Sequence, residues 1–215
     1  MKIISFCNNN SKTGKTTTAF NIAIKFSEKG LKVLAIDTDP KFDLTSMFGI
    51  KDIQSVKDYE LLDKNTKIET VAVNDNLEVI AIDTGRRGYG KYKALKNYLL
   101  TLEEYDVIII DTAPSFHEYL PSVLFASDIY VVAKDDWRET IGIKSVIDFA
   151  RDLNKKISGI ILTEKTSKEP SFEAFEKLLD EYQLKTTIKK DTNFNENEKD
   201  YNDLAEEIMK KERLE

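Results

Sequence analysis

The run Thr13-Gly14-Lys15-Thr16-Thr17 stands directly after an apolar stretch that begins at Lys2, and an amphipathic stretch follows it. Strand, glycine turn and helix in that order wrap backbone N–H groups around a phosphate at the positive end of a helix. In such a loop Gly14 lets the backbone approach the phosphates, Lys15 reaches the β- and γ-phosphates, and the Thr16 hydroxyl faces Mg2+. The full pattern G-x-x-x-x-G-K-[ST] also asks for a glycine at position 9, where this chain carries Asn9. Gly-Lys-Thr by itself also occurs at strand-turn-helix corners that hold no ligand, and the carboxylates downstream decide between the two readings.

Those carboxylates come in two motifs. In KVLAIDTDP, residues 32–40, the apolar run Val33 to Ile36 reads as a buried strand that ends on Asp37, with Asp39 just beyond. In YDVIIIDTAPS, residues 105–115, Val107 to Ile110 are too few for a helix and too β-branched for anything but a central strand. Asp111 therefore arrives at a strand tip as a Walker-B-type carboxylate that holds a Mg2+-bound water, because Mg2+ keeps most of its waters and takes few protein ligands. Asp43 and Asp128 read as ordinary turn or cap residues.

The elements that must position these groups alternate regularly. A helix over Thr16–Glu28 carries Phe20, Ile22, Ala23, Ile24 and Phe26 on its apolar side and closes at Gly30. Strands are expected at 31–37, 68–73, 77–82, 107–110, 128–133, 157–163 and 186–188, and further helices before Tyr105, over 139–153, 171–182 and 201–212, with one or two short ones inside 52–75. Such βα alternation predicts an α/β fold, a mostly parallel twisted sheet with helices on both faces in three layers, and one domain over 1–215. At 215 residues and 41% apolar composition the chain can bury one good core. The net charge of -6 argues against a general nucleic-acid coat while leaving room for a local basic patch. No stretch approaches a membrane span and Met1 leads straight into the first strand, so a cytoplasmic protein is expected. The single cysteine, Cys7, reads as a small buried hydrophobe and excludes internal disulfides and a cysteine-ligated iron–sulfur cluster. His117, the one histidine, leaves no Ser-His-Asp triad or histidine metal site and reads as a helix-entry residue.

The order T-G-K-T-T, I-D-T-D-P, I-I-I-D-T-A-P-S resembles the ParA/MinD ATPases, and within them the short, ParF-like plasmid-partition proteins that lack an N-terminal DNA-binding domain. The resemblance runs from Met1 to about Phe194 and includes Thr45 and the stretch L-K-T-T-I-K-K. It implies ATP/ADP and Mg2+ as cofactors. Backbone amides of residues 12–17 (Lys12, Thr13, Gly14, Lys15, Thr16 and Thr17) would cradle the phosphates, Thr16 and Asp111 the metal, and Asp37 the metal or the adjoining switch. Asp39 would orient the attacking water, Asp111 to Pro114 would sense the γ-phosphate, and Thr163, Glu164 and Lys189 to Asp191 would face the adenine. Lys15, Asp39 and Asp111 then make the catalytic set. The family loop reads K-G-G-x-G-K-T-T, its first lysine crossing a dimer to the partner's phosphates; this chain has Asn10, Ser11 and Lys12 instead. Asparagine tolerates positive φ, serine and lysine do so poorly, so the loop either takes another path or binds nucleotide less well. Lys12 is either a solvated loop lysine or a substitute cation.

The resemblance implies a partition ATPase that works with a small centromere-binding adaptor protein, touches DNA nonspecifically and forms a weak or nucleotide-dependent homodimer. The rival is a nucleotide-binding interaction protein that has lost hydrolysis or dimerisation; a small-molecule kinase of the same superfamily lacks a visible second substrate pocket. Lys185, Lys189 and Lys190 form a candidate DNA patch if the sheet order brings them near Lys155 and Lys156. The Gly-, Arg- and Tyr-rich stretch 84–93 is either a nucleic-acid clamp or a solvated loop.

Overall fold

The β-branched run of residues 107–110 lies, as its composition demands, near the middle of a sheet covered on both faces. In the computed structural model, which describes residues 1–57, 60, 68–84, 93–114, 119–164, 173–190 and 197–214, the strands are β1 (Lys2–Cys7), β2 (Val33–Asp37), β3 (Val56–Lys57), β4 (Val71–Asn74), β5 (Leu77–Asp83), β6 (Val107–Asp111), β7 (Asp128–Lys134) and β8 (Ile157–Thr163). Their order is β3-β5-β2-β6-β1-β7-β8, all parallel, with β4 added to β5 as an antiparallel hairpin strand. After β1 the chain moves to one side of the sheet and after β6 to the other. The crevice of a doubly wound sheet therefore opens at the carboxyl end of β1.

Side-chain alternation sorts the helices. Val33, Ala35, Val107 and Ile109 face the layer of α1 (Lys15–Glu28), α2 (Asp43–Met47) and α7 (Asn197–Glu212). Leu34, Ile36, Ile108 and Ile110 face α3 (Lys93–Leu99) and α4 (Leu120–Ala126), while α5 (Thr140–Asp152) and α6 (Glu173–Tyr182) cover β7 and β8 on the same side. With period two, Asp37 and Asp111 continue the Val33–Ala35 and Val107–Ile109 rows, so both carboxylates sit on the α1 face. α1 ends as expected at Gly30, in positive φ, where Gly30 N donates to Ser27 O and Leu31 N to Phe26 O.

The expected strand at 186–188 does not form. Leu184 N donates to Ile160 O and Ile188 N to Leu162 O, two bonds too widely spaced for a ladder, and residues 183–188 instead cover the outer edge of β8. α7 begins at Asn197 rather than Tyr201, since Glu198 and Asp200 suit a helical first turn. The strand expected over 68–73 is the hairpin strand β4, displaced to Val71–Asn74. The expected lysine patch is divided: Lys155 precedes β8 and its Nζ lies on Phe125 O and Ser127 O, whereas Lys189 follows the contact with Leu162 at the other end of that strand. The short helices expected within 52–75 concern mainly 58–59 and 61–67, which lie outside the described residues, as do His117, expected at a helix entry, and most of 84–93.

Helix α7 buries Tyr201, Leu204, Ala205 and Ile208 in the α1 layer, and Glu212 near its end accepts from Tyr130 Oη at 2.6 Å. Leu204→Ala is expected to destabilise the protein by about 2–4 kcal/mol, because the side chain is wholly buried and its space cannot refill; urea unfolding measures this.

Candidate functional site

The loop between β1 and α1 ends on Gly14, which takes φ 93° and enters the helix with no side-chain cap. The first helical bond is Thr18 N to Gly14 O, so the preceding amides point into the crevice without helical partners. A Cβ on Gly14 would lie 3.2 Å from Thr163 Cγ2, and the Thr163 hydroxyl donates to Thr13 O at 2.8 Å. The tip of β8 thus holds the loop from behind. Lys12 adopts φ 58°, so a residue that resists the left-handed region occupies it where the family carries glycine. Its side chain is exposed, whereas Lys15 is buried and its Nζ donates to Asn10 O at 2.8 Å. Asn10 turns inward, its Nδ2 donating to Glu139 Oε2 at 2.9 Å.

Opposite Lys15 stand the aspartates. Asp37 and Asp111 are register partners on adjacent strands, and Phe6 of β1 pairs with Asp111 on its other side. Thr38 and Thr112 stitch these tips together, Thr38 Oγ1 donating to Asp111 O and Thr112 Oγ1 to Phe6 O. Asp37 is fully engaged: Oδ2 accepts from Thr45 N and Thr45 Oγ1, and Oδ1 from Asp39 N. Asp39 closes its own turn by accepting from Lys41 N, and Phe42 after it takes φ 53°. Asp111 differs. Both its oxygens are buried and, among the described residues, neither has a partner at ordinary hydrogen-bond geometry, the Thr16 hydroxyl lying nearby. Burial, with Asp37 beside it, pushes its carboxyl well above the usual range; the nearby Thr16 hydroxyl and Lys15 ammonium offset this only in part. Burial likewise raises Asp37 to about 6 against the pull of the Thr45 bonds, and lowers Lys15 against the pull of Asp111. Cys7 is buried behind the loop and its thiol is pushed up to about 12, an inert packing residue.

A desolvated carboxylate that makes no well-formed hydrogen bond among the described residues, facing a threonine hydroxyl and an uncapped helix start, fits a divalent cation carrying phosphate. Among the described residues no set of three His, Cys, Asp or Glu side chains forms a cage, and Mg2+, which retains its waters, needs none. Beside the loop a cavity of about 250 Å3 is lined by Gly14, Thr17, Thr163, Glu164, Lys189 and Tyr201, among others. Thr163, Glu164 and Lys189 were expected there. Tyr201 and Asn197, from α7, were not, because their place depends on how the last helix docks. Asp200 fixes the cavity wall by accepting from Lys189 N at 3.0 Å. Asp191 lies outside the described residues. Glu139 and Asn8 left no sequence signal either, being 131 residues apart in the chain.

The raised carboxyls make metal-free stability pH-dependent. Folded Asp37 holds a proton that the unfolded chain has released, so it favours the fold at low pH and loses that effect as pH rises through about 6; Asp111, raised further by burial, acts in the same direction. In chelator the thermal midpoint is expected to rise between pH 7 and pH 5. Asp111→Asn should raise the pH 7 midpoint by roughly 2–4 °C and flatten the profile, both readable by calorimetry.

A family model described as an AAA domain matches residues 1–163. The chain is 32% identical over 177 residues to an uncharacterised protein of Methanocaldococcus jannaschii, covering 72% of this chain and 67% of the relative. It is 30% identical over 179 residues to a virulence plasmid ParA family protein of Chlamydia psittaci, covering 76% and 69% respectively. The matched stretch thus spans about two thirds of these relatives' length. Among solved structures, a putative plasmid partition protein of Borrelia burgdorferi bound to AMPPNP aligns with TM-score 0.77 at 27% identity over 98% of both chains. With the loop, the paired aspartate tips and the strand order in place, the chain belongs to the ParA/MinD family of P-loop ATPases.

Proposed function

We propose that this chain binds ATP with Mg2+, hydrolyses it slowly, and acts as a partition ATPase in segregating plasmid or mobile-element DNA. The observation that carries the reading is the buried Asp111 carboxylate, which has no well-formed hydrogen bond among the described residues and is set opposite Lys15 and Thr16 at the open start of α1. The amides of residues 12–17 and Lys15 would bind the phosphates, Thr16 and Asp111 would hold the metal, and the cavity lined by Thr163 and Lys189 would take the base. Bound there, Mg2+ would neutralise phosphate charge during transfer to water. Asp37, saturated by Thr45 and the Asp39 amide, holds the switch segment in place; Asp39 is the residue that orients the attacking water. Phosphoryl transfer of this kind is mostly positioning and charge stabilisation, so low intrinsic turnover raised by a partner is expected. That partner is a small centromere-binding adaptor, with nonspecific DNA as the track, in the cytoplasm. Among the described residues no helix is long and apolar enough to cross a membrane.

A second reading, a nucleotide switch that dimerises weakly or not at all, is favoured by Asn10. Its carboxamide is engaged within its own subunit on Glu139, and Lys12 is the exposed cation left on the loop.

Lys15→Ala is expected to weaken ATP binding about 100-fold, since a charge-assisted contact to phosphate is lost; unchanged affinity in a fluorescence titration would reduce the loop to a structural corner. Asp39→Ala should leave ATP bound and cut turnover, read by phosphate release. Sedimentation with a nonhydrolysable ATP analogue separates the two readings: a monomer or weak dimer at micromolar protein favours the second, and a tight dimer removes it.

A further inference from the structure

Behind the phosphate loop lies a second polar cluster, made by Asn8, Asn10 and Glu139. Glu139 closes a 3-10 turn, Trp137–Glu139, whose cap Asp136 accepts from Arg138 N, and this turn leads into α5. Glu139 Oε2 accepts from Asn10 Nδ2 at 2.9 Å and from Asn8 Nδ2 at 3.2 Å. Asn8 Nδ2 also reaches Val132 O at 2.8 Å, and Asn8 Oδ1 accepts from Asn10 N at 2.9 Å. Two of the three residues are removed from water, Asn8 at 2% exposure and Glu139 at 9%, and Asn10 is half-buried. Two carboxamides crowded at the end of β1 share Glu139 Oε2 as an acceptor, and a carboxylate accepts with more strength than a neutral group.

The cluster ends on the loop's own cation. The carbonyl of Asn10, the residue whose side chain is tied to Glu139, accepts from Lys15 Nζ at 2.8 Å. Glu139 is also close enough for its charge to favour the ammonium form of Lys15, which burial opposes. Space for this arrangement is left by Gly142 in the first turn of α5: a Cβ there would stand 2.7 Å from Asn8 Oδ1 and 2.9 Å from Asn10 Nδ2. We infer that Glu139 is a positioning residue for Lys15, holding Asn10 against α5 so that its carbonyl keeps the ammonium at the mouth of the loop. The proposal rests on the nucleotide reading given above. In a loop that places Lys12 in the left-handed region, the shape is not secured by glycines, and this tertiary anchor secures it from outside.

ATP titration of four proteins tests it, with nucleotide-free thermal unfolding recorded alongside. Wild type must first bind ATP; if it does not, the nucleotide reading fails, independently of Glu139. Glu139→Ala is expected to weaken ATP binding about tenfold, because the half-buried Asn10 amide loses its acceptor and is released, while Asn8 keeps only Val132 O. Glu139→Gln, which keeps an acceptor oxygen, should recover most of that loss. Gly142→Ala should reproduce the alanine defect without touching Glu139, by driving Asn8 and Asn10 off their places. Unchanged affinity in Glu139→Ala overturns the proposal. So does a loss that follows the thermal midpoint across the three variants, or one that glutamine does not restore, since either would mark Glu139 as part of the general fold.

Discussion

A carboxylate buried without a well-formed hydrogen bond must find a proton or a cation, because an isolated charge in the interior costs several kcal/mol. Asp111 is in that position, and much of the architecture is arranged around it. Parallel pairing of β6 with β1 and β2 brings Asp111 level with Phe6 and Asp37. The same pairing aims the loop after β1, with Lys15 and the start of α1, at the carboxylate. Thr38 and Thr112 use their hydroxyls on backbone carbonyls of the strand tips and leave the Asp111 carboxylate without a well-formed hydrogen bond among the described residues. Asp37, by contrast, has three donors. One aspartate is thereby held by donors and its neighbour left open, though both close the same kind of strand.

The loop solves a different problem. Of the residues around its phosphate-binding bend only Gly14 is free of a side chain, and Lys12 takes a positive φ at a cost of about 1–2 kcal/mol. The shape is held by contacts from elsewhere: Thr163 from β8 on the Thr13 carbonyl, Glu139 on the asparagines, and Gly142 leaving them room. Tertiary hydrogen bonds stand in for the conformational freedom that glycines would have supplied.

The sheet was legible because its strands are short apolar runs ending on acidic or turn residues, a pattern that survives without knowledge of neighbours. The placement of Lys15, Thr16, Asp37 and Asp111 at one end of the sheet was legible for the same reason, since each ends or follows a strand in sequence. What escaped was whatever depends on distant segments meeting. Glu139 looks like any surface glutamate until α5 is packed on β7, and Tyr201 like any core aromatic until α7 is docked on α1. The five-residue α2 and seven-residue α4 are too short to show a helical period. Residues 186–188 are β-prone in composition, but the chain meets β8 at isolated points only, so propensity was not matched by pairing.

Residues 183–190 serve two neighbours at once. On one side they shield the outer edge of β8; on the other, Ile188, Lys189 and Lys190 wall the cavity beside the phosphate loop. Anything that pulls this strap away from an emptied cavity also bares a row of backbone donors and acceptors on an apolar strand, the kind of surface on which unrelated chains add strands and aggregate. The same short stretch thus covers an otherwise exposed strand edge and lines the cavity beside the phosphate loop.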